Sequence, residues 1–255
     1  MRIKFIQVNI YKGRYLNSLL DFLKSEKPDI VSCQEVTAGE VNLCQDKSAN
    51  LFEIIKNELG FDGVYYADLN FSDMLAARFG NAVFSRFPIL DKQVVVLKDF
   101  RPITYDELEG DAAYDIRPKI PRHLLDAVFR VGKLKIHAMS WHGAWTAPPV
   151  DTEETLRQSK LVASYISSLE EPFILGCDAN NILDNETIGL INKVATNLMI
   201  GRDIVQTTHP KVHKIVPRGF LVDFIFCSKD FQLKSLSVPQ ILVSDHLPVV
   251  ADLEI

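Results

Sequence analysis

The chain has 255 residues, 47% of them hydrophobic, and a formal net charge of -5 at pH 7; that is enough length and apolar content for one large core, so a single α/β domain spanning 1–255 is expected. A pI near 5.7 excludes a protein that coats nucleic acid by bulk electrostatics, while a local basic groove stays compatible with it. No apolar run reaches the roughly 18 residues that a membrane-spanning helix needs, and no apolar signal segment follows Met1, so a soluble, cytoplasmic protein without a transmembrane segment, acting as a monomer, is predicted.

Ile3 and Phe5 alternate with Lys4 into a first strand ending at Val8-Asn9, just before Gly13. Asn9 reads two ways there, as a turn residue or as an amide oxygen offered to a cation. Leu16, Leu19, Leu20 and Leu23 recur at helical spacing and Pro28 follows them, which predicts an amphipathic helix. A second strand, Asp29–Cys33, ends in Gln34-Glu35. Two strands joined by a helix form a βαβ-type start, which places Asn9 and Glu35 at corresponding strand ends. One carboxylate and one amide make a partial oxygen shell for Mg²⁺.

Ser48 to Leu59 reads as a structural helix closed by Gly60. A short buried strand over Gly80–Ser85 follows, with Arg78 and Asn81 either facing a phosphate or serving as solvated cation and turn amide. Asp91–Leu97 is β-rich. Asp99–Arg122 is a long connection without clear periodicity, carrying Arg101, Tyr105, Tyr114, Arg117 and Arg122 as unranked contacts to a phosphorylated ligand. His123–Val131 and Lys133–Ser140 alternate around Gly132 as a hairpin whose second strand ends at Trp141-His142-Gly143. His142 is thereby a polar group delivered at a strand end, whereas His137 sits within the strand and takes no role. Ala144–Val150 is a proline-rich loop, and Asp151 with Glu154 resembles a capping box opening a helix to about Ser168.

Pro172–Cys177 reads as a buried strand. Asp178 and Asn180, two apart, reach one small volume if the chain stays extended, or form an Asx-turn if it does not. Asn181–Met199 holds a short helix. Thr207–Gly219 carries His209, Lys211, His213, Lys214 and Arg218, a basic patch that is either a solvated loop or a phosphate contact. Asp223 interrupts the apolar run Leu221–Phe226 and needs a buried donor, for which His246 is the natural candidate. In Ser244-Asp245-His246, adjacent side chains of an extended segment point apart, so Asp245 and His246 each need a distant partner. Cys33, Cys44, Cys177 and Cys227 show no close pairing and read as reduced thiols, with no zinc spacing.

In order and spacing, Val8-Asn9, Gln34-Glu35, Asn81–Pro88, His142, Asp178-Ala179-Asn180, Asp223-Phe224-Ile225 and Ser244-Asp245-His246 resemble the endonuclease/exonuclease/phosphatase superfamily of Mg²⁺-dependent phosphoesterases, which includes exonuclease III-like and DNase I-like nucleases. The resemblance covers almost the whole chain. It implies a four-layer α/β sandwich, two packed and mostly antiparallel sheets flanked by helices, with Mg²⁺ (or Mn²⁺ as substitute) on Glu35 assisted by Asn9 and Asp245. It further implies that His246, held by Asp223, contacts the scissile phosphate or moves a proton, that Asp178 orients or deprotonates the attacking water, and that Asn180 and His142 stabilise developing charge. Two motifs depart from the family pattern: a residue, Cys177, separates Gly176 from Asp178, and Trp141-His142-Gly143 replaces Thr-His-Leu. The implied activity is nuclease-like hydrolysis of a phosphodiester or phosphomonoester, with nucleic acid as a candidate partner; a phospholipid or small-molecule phosphoesterase and an inactive binding scaffold are the alternatives.

Overall fold

The computed structural model describes residues 1–38, 50–70, 78–99, 103, 104, 107, 113–213 and 219–255. Two six-stranded sheets pack face to face. The first contains β1 (Arg2–Asn9), β2 (Ile30–Ala38), β3 (Asp62–Asn70), β4 (Arg78–Ser85), β11 (Gln232–Ser237) and β12 (Val249–Glu254), in the order β11-β12-β1-β2-β4-β3. The second contains β5 (Ile89–Lys98), β6 (Arg122–Val131), β7 (Leu134–His142), β8 (Phe173–Asp178), β9 (Thr196–Asn197) and β10 (Asp223–Cys227), in the order β5-β6-β7-β8-β10-β9. Each sheet has one parallel pair at its centre, β1 with β2 and β7 with β8, and the other pairs are antiparallel.

Helices complete four layers. Leu19, Leu20 and Leu23 of α1 (Leu16–Glu26) and Leu51 and Ile55 of α2 (Leu51–Leu59) pack on Ile6, Val8 and Phe84 of the first sheet. On the second sheet, Val162 and Ile166 of α4 (Glu153–Ser167) and Ile188 and Ile191 of α5 (Glu186–Asn192) join the main core. That core draws Ile3, Phe5 and Val83 from one sheet and Leu125, Phe129 and Phe224 from the other, all fully buried. A short helix, α3 (Ala113–Ile116), precedes β6.

Several sequence expectations are corrected here. β2 runs on to Ala38, because its pairing with β4 breaks after Cys33 and resumes at Val36; Glu35 therefore sits on a bulge within the strand rather than at its end. β3, unassigned from sequence, is a half-exposed strand at the sheet edge with too little alternation to read. Helix α2 is described from Leu51, with Asn50 capping it through Glu53 N; Ser48 and Cys44 lie outside the described residues. At α4 the capping box is Thr152 with Thr155, and Asp151 instead caps α5, accepting from Glu186 N at 2.8 Å and Thr187 N at 3.0 Å. Cys33, Cys177 and Cys227 are free and buried. No described helix is long and apolar enough to cross a membrane.

Candidate active site

Strand register assembles the first half of the site. His142 pairs with Asp178 across β7 and β8, and Asp178 pairs with Asp223 across β8 and β10, so three polar side chains stand side by side at one sheet end. In the facing sheet Asn9 pairs with Gln34, and the bulge after Gln34 turns Glu35 toward the same end at φ 57°. The Asp245-His246 segment is held there by Thr207–His209: His209 N donates to Asp245 O at 2.7 Å and Thr208 forms an isolated bridge with His246.

These segments enclose a small cleft of about 100 Å³. Asn9, Glu35, His142, Asp178 and Asn180 line it, together with Asp245 and His246. Asp223 lies behind His246, fully buried, with its Oδ2 2.8 Å from His246 Nδ1. Asp178 Oδ2 is the hub: it accepts from Asn9 Nδ2 at 3.0 Å and faces His142 Nε2 at 3.6 Å and His246 Nε2 at 3.7 Å. Asn9 differs from the expected free amide oxygen, since its Oδ1 already accepts Tyr11 N at 3.0 Å. Asn180 takes the turn reading of its motif, not the extended one: its N–H closes an Asx-turn on Asp178 Oδ1 at 3.0 Å, its φ is 49°, and its Nδ2 reaches Gly143 O at 3.2 Å, and this turn still leaves it lining the cleft.

Burial and neighbouring charge set the two histidines apart. Burial would discharge His246, but Asp223 and Asp178 outweigh it and hold the imidazole protonated well above its usual range. His142 is driven well below that range by burial and by Arg122 and His246, so it is neutral. Asp178 is pushed up chiefly by burial. Burial would also raise Glu35, but Lys12, His246 and Asn9 hold it below the ordinary carboxylate value. Asp245 is raised to about 6 by burial and, against the pull of His246, by the nearby Glu35 charge.

The donor set fits a hard dication. Glu35 and Asp245 bring two carboxylates close enough to repel, and the Lys12 ammonium, 3.4 Å from Glu35 Oε2, offsets that charge; oxygen ligands of this kind suit Mg²⁺ or Mn²⁺. His213, Asp245 and His246 also place one ligand atom each within 4.8 Å of one another, as do Asp178, Asp223 and His246.

Sequence reasoning missed Lys12 and His213, and did not rank Arg117 or Arg122. All four line the cleft. The His213 ring stands edge-on to His246, 5.4 Å between centroids, although sequence counted it only within a basic patch. Trp145, also lining the cleft, lies beneath the Arg117 guanidinium at 5.5 Å. Arg101, Tyr105, Lys214 and Arg218 lie outside the described residues. Asn81 does not line this cleft: it is buried, with Nδ2 3.5 Å from the His123 carbonyl, and Arg78 opens on another one. His137 is a packed residue, its Nδ1 2.6 Å from Asp126 Oδ2. A further signal is conformational. Among the described residues, four of the five non-glycine residues with positive φ, namely Tyr11, Lys12, Glu35 and Asn180, line this cleft, and strain of this kind concentrates where function over-determines the backbone.

The same fold occurs in solved structures. A mannosyl-6-phosphatase from Bacteroides thetaiotaomicron superposes with a TM-score of 0.73 at 16% identity, covering 99% of this chain and 100% of that one. The human Nocturnin catalytic domain with a bound sulfate gives 0.71 at 15% identity over 99% and 94%. D. rerio TDP2 complexed with a single-strand DNA product gives 0.70 at 16% over 100% and 99%. At such identities the likeness establishes the fold. A comparison with curated proteins finds no match. The model of the Endonuclease/Exonuclease/phosphatase family, however, matches residues 6–246, and the chain belongs to that family.

Proposed function

We propose that the protein is a divalent-metal-dependent phosphoric ester hydrolase, one domain over 1–255, that cleaves a phosphodiester or phosphomonoester by attack of water. The observation that carries this is the convergence, in one cleft, of two carboxylates suited to a dication with a protonated His246, a neutral His142 and a raised Asp178. Glu35 and Asp245, with the second lone pair of the Asn9 amide oxygen that Tyr11 N leaves open, would hold Mg²⁺ or Mn²⁺, which when bound supplies charge neutralisation for the phosphoryl oxygens. Asp178, fixed by Asn9 and the Asn180 N–H, aligns a water and takes its proton as the water oxygen bonds to phosphorus, while the ester P–O bond breaks and the departing oxygen takes a proton from solvent to leave as an alcohol. His246, whose charge Asp223 maintains, donates to a phosphoryl oxygen, and the Asn180 amide donates to another.

Among phosphate esters, a nucleic-acid substrate is favoured by Trp145 and Arg117, whose stacked faces at the cleft offer a platform for a base. A small phosphomonoester is the second reading, favoured by the fold shared with a mannosyl-6-phosphatase. The buried free thiols support a reducing, cytoplasmic setting. Hydrolysis of a panel of DNA and RNA oligonucleotides and phosphomonoesters, with and without EDTA, tests the proposal. Activity should disappear with EDTA, return with Mg²⁺ or Mn²⁺, and fall about 100-fold or more in Glu35→Ala and His246→Ala. Metal-independent turnover that survives both substitutions overturns it.

A further inference from the structure

A second cleft lies on the other side of Arg122. Arg122 and His123 open β6, both are almost fully buried, and Asp68 joins them: its Oδ1 is 2.6 Å from His123 Nδ1 and its Oδ2 is 3.6 Å from Arg122 Nη1. Sequence counted Arg122 only among unranked contacts to a phosphorylated ligand and did not single out Asp68 or His123, and of the three only Arg122 also faces the catalytic cleft. The cluster is left polar and unfinished. His123 Nε2, Arg122 Nη1, the Tyr65 hydroxyl and Asp68 Oδ2 are buried without a hydrogen-bond partner, the Arg122 and Asp68 atoms facing each other only at ion-pair distance, and all four residues line the second cleft. So many orphaned groups in one place are uncommon in a folded protein and call for a ligand or ordered solvent.

The unfinished atoms define the ligand's chemistry. Arg122 Nη1 and the Tyr65 hydroxyl are donors, His123 Nε2 donates or accepts according to its tautomer, and Asp68 Oδ2 accepts. A phosphoryl group meets such a set, because its oxygens accept from the donors and its exchangeable proton can be given to an acceptor. At the mouth, Arg78 and Lys92 are exposed cations, and the Tyr66 ring, 38% exposed, stands edge-on to His123 at 4.7 Å. We propose that this second cleft binds a phosphoryl group, and that it shares Arg122 as a common wall with the catalytic cleft. The shared wall matters because Arg122 Nε also donates to the Gly143 carbonyl at 3.1 Å, next to His142. The phosphoryl group comes either from a remote part of a long substrate or from a free anion.

The test follows the His123 ring directly by ¹H–¹⁵N NMR of the intact, ¹⁵N-histidine-labelled protein, and needs no turnover, so its outcome stands apart from that of the hydrolase proposal. Titrated inorganic phosphate should move the His123 signal saturably, both in the native chain and in Glu35→Ala. In the doubly substituted Arg78→Gln/Lys92→Gln chain, where both changed side chains are exposed and outside the catalytic cleft, the apparent affinity should fall about 5-fold or more. A 5′-phosphorylated dinucleotide separates the two sources. Binding that is tighter than that of phosphate and weakened by both His246→Ala and the double substitution identifies one ligand spanning both clefts; binding no tighter than that of phosphate identifies a free anion. A His123 signal unmoved by phosphate up to about 20 mM, or an identical titration in the double variant, overturns the proposal.

Discussion

His246 Nδ1 lies 2.8 Å from Asp223 Oδ2, while Nε2 of the same ring faces Asp178 Oδ2 at 3.7 Å, so one imidazole is shared between a carboxylate that fixes its charge and one that opens on the cleft. Asp223→Asn keeps the shape and removes the charge. The His246 imidazolium should lose stabilisation and its pKa should fall, and kcat should fall about 100-fold or more with little change in KM. Steady-state kinetics across pH, together with the NMR titration of His246, checks this. An unchanged His246 titration with full activity removes Asp223 from the mechanism.

Glu35 occupies left-handed backbone at φ 57° on a bulge, a conformation that glycine adopts without a Cβ clash. Glu35→Gly should therefore be more stable than Glu35→Ala by about 1 kcal/mol, although neither chain should be active. Urea denaturation of the two variants gives the difference directly. Equal midpoints would mean that the bulge relaxes when the carboxylate is lost.

Gly143 explains the departure at Trp141-His142-Gly143. A Cβ placed there would stand 2.3 Å from the Ala179 carbonyl oxygen, and the glycine carbonyl accepts from both Arg122 and Asn180. Gly143→Ala should cost about 2–3 kcal/mol by forcing backbone apart, and should lower activity further by moving His142 and Asn180. Thermal denaturation beside kinetics separates the two effects.

Asp151 ties the loop before α4 to the N-terminus of α5 through Glu186 N, Thr187 N and Thr187 Oγ1. Its small burial would raise the carboxyl, but these hydrogen bonds outweigh it and depress the pKa. Because the folded pKa is the lower one, the stabilisation is fully present above the unfolded value near 4 and is lost as pH falls through the folded value. Asp151→Ala should thus cost about 1 kcal/mol at pH 7 and progressively less below about pH 4. A deficit in denaturation midpoint that stays constant from pH 7 to pH 3 contradicts the charged cap.

The chain's periodicities were enough to place most strands and helices, since alternation at β1, β6 and β7 and the leucine spacing of α1 are local properties of burial on one face. The order of short polar motifs at apolar-run ends also pointed to Asn9, Glu35, His142, Asp178, Asn180, Asp223, Asp245 and His246. What local pattern cannot contain is register and bulge. That His142, Asp178 and Asp223 stand abreast follows from the pairing of β7, β8 and β10. That Glu35 turns into the cleft follows from a break in the β2–β4 ladder, invisible in a run that alternates poorly. Lys12 and His213 were unreadable for the same reason: Lys12 lies in a single 3-10 turn, Tyr11–Gly13, and His213 outside any helix or strand, each on a path set by distant contacts, Lys12 against Glu35 and His213 against His246. The charge states are a tertiary property as well, because His142 and His246 differ in pKa through the carboxylates and the guanidinium packed around each. Sequence determined which chemical groups the fold could deliver to one end of the sandwich; only the packing of the two sheets decided which of them are charged, which are neutral, and which meet.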